Sequence, residues 1–299
     1  MSKHLLTIDS FYKDAKKLRT HFEDRFRDPL EARSDRFVWD YWHVPNQYTA
    51  LRTPAYHFFP KKTYDDFHNQ LVWWGRRTLG CHDVSPPWMS CYLDGFGQEL
   101  HGDLPHGPWA FVFSLTPWKT REFTGGETVL LKQDILEYWS RFESQRGLEL
   151  GDIVEEVPAN FNRLTVFDPR IPHGVKTVKG PHDLLKGRLV IHGWFVQPRP
   201  FIEGPLAPKD LQVLIDDLSG ELSEAINDGL DIQGMLSLRL SFAASGKITK
   251  VVVLTNSVKS PDSAVEASIV KHIVAWLKRA SVRKQRGSSE VTLPLVFER

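Results

Sequence analysis

A mainly β fold is what this sequence predicts: a double-stranded β-helix (jelly-roll) core, N-terminal helices flanking it, and a small α+β unit behind. Three observations carry that expectation. From Trp88 the chain breaks into short β-rich runs separated by Gly and Pro, without a long helical repeat. Ahead of Trp88, two stretches place apolar residues at helical spacing, and beyond Pro208 a ββαβ pattern closes the chain.

Taken in order, residues 7–27 read as an amphipathic helix, with Phe11, Ala15, Leu18, Phe22 and Phe26 on one face and Asp9 or Ser10 as N-cap. Phe37 to Phe59 is dense in aromatics and broken by Pro45-Asn46 and Pro54, which predicts short strands and turns around a core cluster. Asp65 to Leu79 repeats the helical pattern through Phe67, Leu71, Trp74 and Thr78. The β-rich runs follow at Trp88–Asp94, Ala110–Leu115, Thr128–Leu131, Asp152–Val157, Arg163–Phe167, Gly174–Val178 and Arg188–Val196, with a helix or structured excursion at Gln133–Arg146. Inward side chains of such a barrel converge on a cavity.

Gln197 to Pro208 holds four prolines and a glycine and reads as a linker. The expected division is therefore a domain over 1–200, a Pro-rich linker over 201–210 and an α+β domain over 211–299. In the last, Leu211–Ala225 is helical in pattern. Leu236, Leu238, Leu240 and Phe242 alternate, Ala244-Ser245-Gly246 turns the chain, and Ile248–Leu254 returns. Val265, Ile269, Ile273, Trp276 and Ala280 mark a helix face, and Val291, Leu293, Leu295 and Phe297 a final strand that Pro294 pushes towards an edge.

Composition narrows the function. The chain has 299 residues and a net charge of +1, so no basic field for nucleic acid is expected. No run approaches the roughly 18–20 apolar residues of a membrane span, and the N-terminus lacks a signal-like apolar core. Two cysteines, Cys81 and Cys91, exclude a disulfide scaffold and a four-cysteine zinc site. A cytoplasmic protein is expected.

The chemistry concentrates in three pieces: His101-Gly102-Asp103, Phe167-Asp168-Pro169-Arg170-Ile171-Pro172-His173, and Gly187-Arg188 running on to Trp194-Phe195. Two imidazoles and one carboxylate cover one face of an octahedral metal and leave three positions open, the arrangement of non-haem Fe(II) oxygenases. Arg188 is the partner expected for a carboxylate-bearing co-substrate. If Arg188 points inward, so do Val190, His192 and Trp194, a strip suited to a partly polar pocket.

With Cys91-Tyr92-Leu93-Asp94-Gly95, Gly125-Gly126-Glu127, Arg163–Asp168 and His173-Gly174-Val175 added, the ordered set resembles the iron(II)/2-oxoglutarate oxygenases of the prolyl-4-hydroxylase type. The resemblance is sharp between Trp88 and Phe195. It implies His101, Asp103 and His173 as ligands of Fe(II), and Arg188 on the distal carboxylate of 2-oxoglutarate. Tyr92 would bond the same co-substrate, and Trp194 would pack beside the distal histidine. It further implies O2 as the second co-substrate, with succinate, CO2 and a hydroxylated product, and it admits ascorbate as auxiliary reductant. Related halogenases replace the carboxylate by a small residue, so Asp103 argues for hydroxylation. Where the hypoxia-sensing prolyl hydroxylases carry a further tyrosine, this chain has Ser114; Ser114 and Thr128 are the residues expected to complete the co-substrate pocket. His192 is expected in the outer shell of the iron, or simply in the core.

Substrate is less constrained. Arg170, in the turn before His173, is a candidate for a substrate carboxylate or backbone. The leading expectation is hydroxylation of a peptidyl or free amino-acid residue, proline first. The alternatives are a small-molecule (natural-product) oxygenase on the same core, a non-catalytic peptide-binding or sensing protein on the same barrel, or a metal enzyme needing no oxo-acid. Gly234–Leu240, Ser245-Gly246-Lys247-Ile248, Ile273–Trp276 and Leu293–Phe297 resemble the C-terminal domain of TonB-like energy transducers. A small sheet with an exposed edge is expected there, one that captures a peptide strand or a second subunit by strand addition or serves only as a stabilising appendage.

Overall fold

Alternating side chains between Trp88 and Pro198 pair into antiparallel strands, and the order of those strands places the site. The computed structural model describes residues 4–28, 30–31, 39–103, 106–132, 135, 150–227 and 231–297. Backbone contacts separate two units, one of Leu5–Gln70 with Val84–Phe195, the other of Met1–His4, Leu71–Asp83 and Val196–Arg299.

In chain order come β1 (Leu5–Ile8), α1 (Ala15–Phe26), β2 (Asp40–Val44), β3 (Tyr48–Pro54), the helical turn α2 (Ala55–Phe58) and α3 (Lys61–Thr78). Then follow β4 (Cys81–Val84), β5 (Trp88–Tyr92), β6 (Gln98–His101), β7 (Trp109–Ser114), β8 (Thr128–Leu131), the turn α4 (Leu150–Ile153), β9 (Val154–Val157), β10 (Leu164–Phe167), β11 (His173–Val175) and β12 (Arg188–Pro198). One leaf of the first unit's sheet runs β1-β10-β7-β12-β5-β3, and the other runs β6-β11-β8-β9. They join where Tyr48 of β3 faces Gln98 of β6. Inward residues of both leaves line a single cavity of about 630 Å³, which is the expected jelly-roll arrangement.

The opposite face of the first leaf makes the core. Phe113 and Phe195 are fully buried, and helices close over them. Phe67 of α3 lies 4.8 Å from the Phe113 ring, while Leu18 and Phe22 of α1 are inaccessible to solvent. Each such side chain contributes about 1.5–3 kcal/mol by burial.

The N-terminal helix starts later than its periodicity predicts. Residues 5–8 pair with Leu164–Phe167 instead, and Ser10 adopts a left-handed φ of 55° that breaks helical phase. Phe11 therefore packs on Phe113 from a turn, at 6.0 Å between ring centroids. Free hydrogen-bonding groups along β10 outweigh local helix propensity here. The helix expected over Gln133–Arg146 lies, apart from Ile135, outside the described residues.

The second unit contains β13 (Phe201–Glu203), α5 (Pro208–Asn227), β14 (Gly234–Phe242), β15 (Ile248–Asn256), α6 (Ser263–Arg279) and β16 (Ser289–Phe297), in sheet order β13-β16-β14-β15. Leu236, Leu238, Leu240 and Phe242 present one buried face to Leu211, Leu214 and Leu218 of α5 and to Ile269, Ile273 and Leu277 of α6. Asp262 caps α6 by accepting from the Ala264 N–H at 2.8 Å.

Two expectations fail in this unit. The stretch 201–210 is not a linker: Phe201–Glu203 pairs with Glu290–Thr292, and Pro208 opens α5, a position where its missing N–H costs nothing. Nor is β16 an edge strand, since β13 and β14 flank it. Pro294 is tolerated because β13 stops at Thr292 and leaves that side of Pro294 without a ladder to break.

Residues 71–83 belong to this second unit. Ser237 donates to the Leu79 carbonyl at 2.8 Å and Thr292 donates to the Arg77 carbonyl at 3.0 Å, and Leu79 is fully buried. Deleting residues 205–299 is therefore expected to strip the end of α3 and give insoluble protein. A soluble, monomeric truncation in size-exclusion chromatography would contradict this division.

Candidate metal centre and acid-binding cavity

Antiparallel register brings the distant histidines together. His101 ends β6 and His173 begins β11, and the two are direct partners in the ladder, their ring centroids 4.4 Å apart. Gly174 is what permits the close approach, because a Cβ there would fall 3.0 Å from the Glu99 carbonyl oxygen and closer still to that of Gln98. Asp103 follows in the turn after β6, where its N–H donates to the Pro169 carbonyl at 2.9 Å. That bond ties the His-x-Asp turn to the turn leading into His173.

Donor atoms of His101, Asp103 and His173 all lie within 4.8 Å of one another. Each imidazole is oriented from behind by a carbonyl two residues earlier: Nδ1 of His101 lies 2.9 Å from Glu99 O, and Nδ1 of His173 lies 2.9 Å from Ile171 O. A carbonyl only accepts, so each Nδ1 carries the proton and each Nε2 presents a lone pair. Those lone pairs face the Asp103 carboxylate, at 3.5 Å for His101 and 3.4 Å for His173. The Gln98 amide approaches His101 Nε2 at 3.0 Å and would be displaced by an entering cation. Burial alone would raise the Asp103 pKa, but an imidazole protonated at Nε2 donates to the carboxylate, and this outweighs burial and holds the carboxyl well below its ordinary range. Burial likewise opposes the charged form of His101, yet Asp103 and the Glu99 carbonyl raise its pKa overall. Three acceptors meeting around one point call for a positive charge between them, and the donor set suits a divalent transition metal.

Arg188 opens β12 opposite Tyr92 of β5 and is only 1 % exposed. Its Nη2 donates to Thr128 Oγ1 at 3.0 Å, its guanidinium carbon lies 4.9 Å from the Tyr92 ring centroid, and its Nε has no hydrogen-bond partner. Gly126, at φ +78°, leaves room for the stem: a Cβ there would sit 3.2 Å from Arg188 Cδ. Burial lowers the pKa of Arg188 and raises that of Tyr92. Among the described residues no carboxylate pairs with this cation, so an acid entering the cavity would meet a desolvated, under-satisfied fork.

Further along β12, Val190, His192 and Trp194 line the same cavity as Arg188. His192 shares a 2.8 Å hydrogen bond with Ser90 Oγ. Burial, reinforced by the charges of Arg188 and Arg52, pushes its pKa down to about 4 despite Asp103, so its ring is neutral.

Three expected residues are placed differently. Ser114 donates to the Ala159 carbonyl at 2.6 Å and accepts from the Thr116 N–H at 3.1 Å, which engages its hydroxyl with backbone rather than with the cavity. Arg170 folds back on Asp168, with Nε–Oδ1 at 2.9 Å and Nη2–Oδ2 at 2.6 Å, because a buried carboxylate two residues away is the nearest partner for its fork. Trp194 packs against His106 at 4.4 Å, while Phe167 takes the place beside His173, at 4.7 Å. Gln98, Phe167 and Arg52 line the cavity without having been foreseen. For Arg52 a signal existed, its alternation with Tyr48 and Ala50, but it was hidden in an aromatic-rich stretch.

No protein-family model matches the chain, and no curated protein matches it. Among solved structures it is similar to a prolyl hydroxylase of Trichoplax adhaerens in complex with a hypoxia inducible factor oxygen degradation domain peptide fragment (14% identity, TM-score 0.43, covering 65% of this chain and 84% of that one). A Pseudomonas putida prolyl-4-hydroxylase gives 18% identity and a TM-score of 0.43, covering 65% and 93%. HygX of Streptomyces hygroscopicus, with nickel, 2-oxoglutarate and hygromycin B bound, gives 12% and 0.41, covering 64% and 82%.

Removing one metal ligand should be decisive for the cation. Asp103→Ala is expected to weaken Co(II) binding by roughly a hundredfold or more, read by calorimetric titration; unchanged affinity would place the metal elsewhere. A second expectation concerns acid. The folded pKa of His192 lies below its ordinary 6.5, so the unfolded chain takes up a proton that the folded chain refuses. Stability should fall as pH drops from about 6.5 towards 4, and His192→Gln should lose that part of the slope in urea denaturation. An identical slope would contradict the assignment.

Proposed function

We propose that this chain is an Fe(II)- and 2-oxoglutarate-dependent oxygenase that uses O2 to hydroxylate a C–H bond of an amino-acid residue, peptidyl or free, releasing succinate and CO2. Proline is the first substrate to test. The observation that carries the reading is Arg188, a buried cation with an unpartnered Nε, in the same cavity as the three convergent metal-ligand side chains. A structural metal site needs no such arginine, which weighs against the binding-protein alternative.

His101, Asp103 and His173 would hold the iron and leave one face open for the reactants. When bound, the iron supplies O2 activation and oxidation of the substrate carbon. The residues of this chain bind, orient and exclude water. Arg188 would receive the distal carboxylate of 2-oxoglutarate in a bidentate fork, with Thr128 fixing one edge of that fork. Tyr92, its phenol kept neutral by burial, would donate to the same acid. Neutral His192 does not repel the metal, and its Nε2 is engaged with Ser90 Oγ at 2.8 Å. Trp88, Phe167 and Trp194 supply an apolar wall on the substrate side.

In the second unit β15 is flanked, among the described residues, by β14 alone, so a peptide strand or second subunit would add there. No helix among the described residues is long and apolar enough to cross a membrane.

Succinate release from 2-oxoglutarate under air, dependent on Fe(II), tests the reaction, and mass spectrometry across amino acids and peptides for one added oxygen atom identifies the product. Arg188→Ala should raise the 2-oxoglutarate concentration required by roughly 100-fold while leaving Co(II) affinity close to wild type. Equal loss of both would remove the role assigned to Arg188. No Fe(II)-dependent release with any compound would favour a non-catalytic binding protein.

A further inference from the structure

Within the cavity there is a second cation for which the proposed co-substrate has no use. Arg52 sits on β3, where Tyr48, Ala50 and Arg52 face inward by alternation and line the cavity that holds the metal-ligand cluster. Its guanidinium carbon lies against two indoles, 2.9 Å from the Trp42 ring centroid and 4.2 Å from that of Trp88. Nε is buried and unpartnered. Among the described residues no carboxylate lies within ion-pair distance of it. Asp40 is the cross-strand neighbour of Arg52 on β2 and is itself exposed.

A half-buried cation that lies against aromatic rings and has no acceptor for its buried Nε is a receptor for an anion. Its place in the wall bears on what enters. Arg52 is the register partner of Ser90 on β5, and Ser90 bonds His192 at 2.8 Å, so Arg52 and Arg188 stand on the same inner surface, β3 and β12 being separated by β5 alone. Burial lowers the Arg52 pKa, and the nearby Tyr48 and Asp40 act in the opposite sense. Asp40 partly offsets the local positive field, which suits a single negative charge better than a phosphate dianion.

We infer that Arg52 is a substrate-specificity residue that binds the carboxylate of a small free acid, so that the substrate is a free amino or imino acid and not an internal residue of a peptide chain. The inference rests on the proposed oxygenase reading for its chemistry, though the binding step can be measured without it. Trp88, Phe167 and Trp194 would take the apolar body of such an acid.

The test measures binding by calorimetry on the full-length Co(II)-loaded protein in the presence of 2-oxoglutarate, under nitrogen. The probes are the free L-amino acids, proline included, each paired with its carboxamide. Wild type is expected to bind at least one acid more tightly than its amide by roughly 10- to 100-fold. In Arg52→Gln that ratio should collapse to about one, and in Arg52→Lys part of it should return, since a point charge replaces the fork. Circular dichroism confirms that each variant is folded. If Arg52→Gln does not fold, Arg52→Lys and the wild-type acid-to-amide ratio decide. An acid and its amide bound equally by wild type, an unchanged ratio in Arg52→Gln, or no acid bound at all would overturn the inference. Absence of Fe(II)-dependent succinate release, with acid-selective binding intact, would instead remove the oxygenase reading and leave Arg52 as an acid-binding residue.

Discussion

Three acceptors meeting around one point is the constraint to which the rest of the first unit answers. Two Nε2 lone pairs and a carboxylate repel one another unless a positive charge stands between them. The fold maintains that convergence through backbone devices, with His101 and His173 as register partners and Asp103 anchored to the Pro169 carbonyl. Carbonyls two residues upstream fix both rings, so the lone pairs have no freedom to turn away. Short strands suffice for this because each histidine lies at a strand end, next to a turn that the other histidine's segment holds in place.

Around that centre two guanidinium groups line the cavity, Arg188 buried and Arg52 half-buried. Arg188 lies on β12 and Arg52 on β3, at opposite sides of β5, and each keeps an Nε without a partner. A desolvated guanidinium with an unpartnered Nε, as in Arg188, lowers the stability of the protein on its own. Under the proposed reading that cost of desolvation is met in advance by folding, before an acid is bound. The neutral ring of His192, on β12 with Arg188, follows from burial together with the charges of Arg188 and Arg52.

Much of this arrangement was legible in the sequence, and the limits of that legibility are physical. Ligand residues carried their spacing with them, and the inward strip Arg188, Val190, His192 and Trp194 followed from strand alternation alone. Strand pairing was less visible: the helix predicted over 7–27 begins inside β1 because apolar spacing in so short a stretch cannot report the partner β10. The 201–210 stretch reads as linker because proline counts say nothing about β16, the strand with which Phe201–Glu203 pairs. Side-chain partners were the least visible. Arg170 and Ser114 found acceptors close at hand in Asp168 and Ala159, and Trp194 met His106 in place of His173. Arg52 was hidden by the opposite circumstance, because its partners Trp42 and Trp88 lie far apart in sequence and meet only across the sheet.

The most direct test of the account is the visible spectrum of the Co(II)-substituted protein titrated with 2-oxoglutarate under nitrogen. Chelation at a three-residue facial site with open positions predicts a saturable change in the cobalt bands in wild type, and a strongly weakened response in Arg188→Ala. Cobalt bands that ignore 2-oxoglutarate, or that respond identically without Arg188, would contradict the claim that the metal-ligand cluster and the buried arginine form one site.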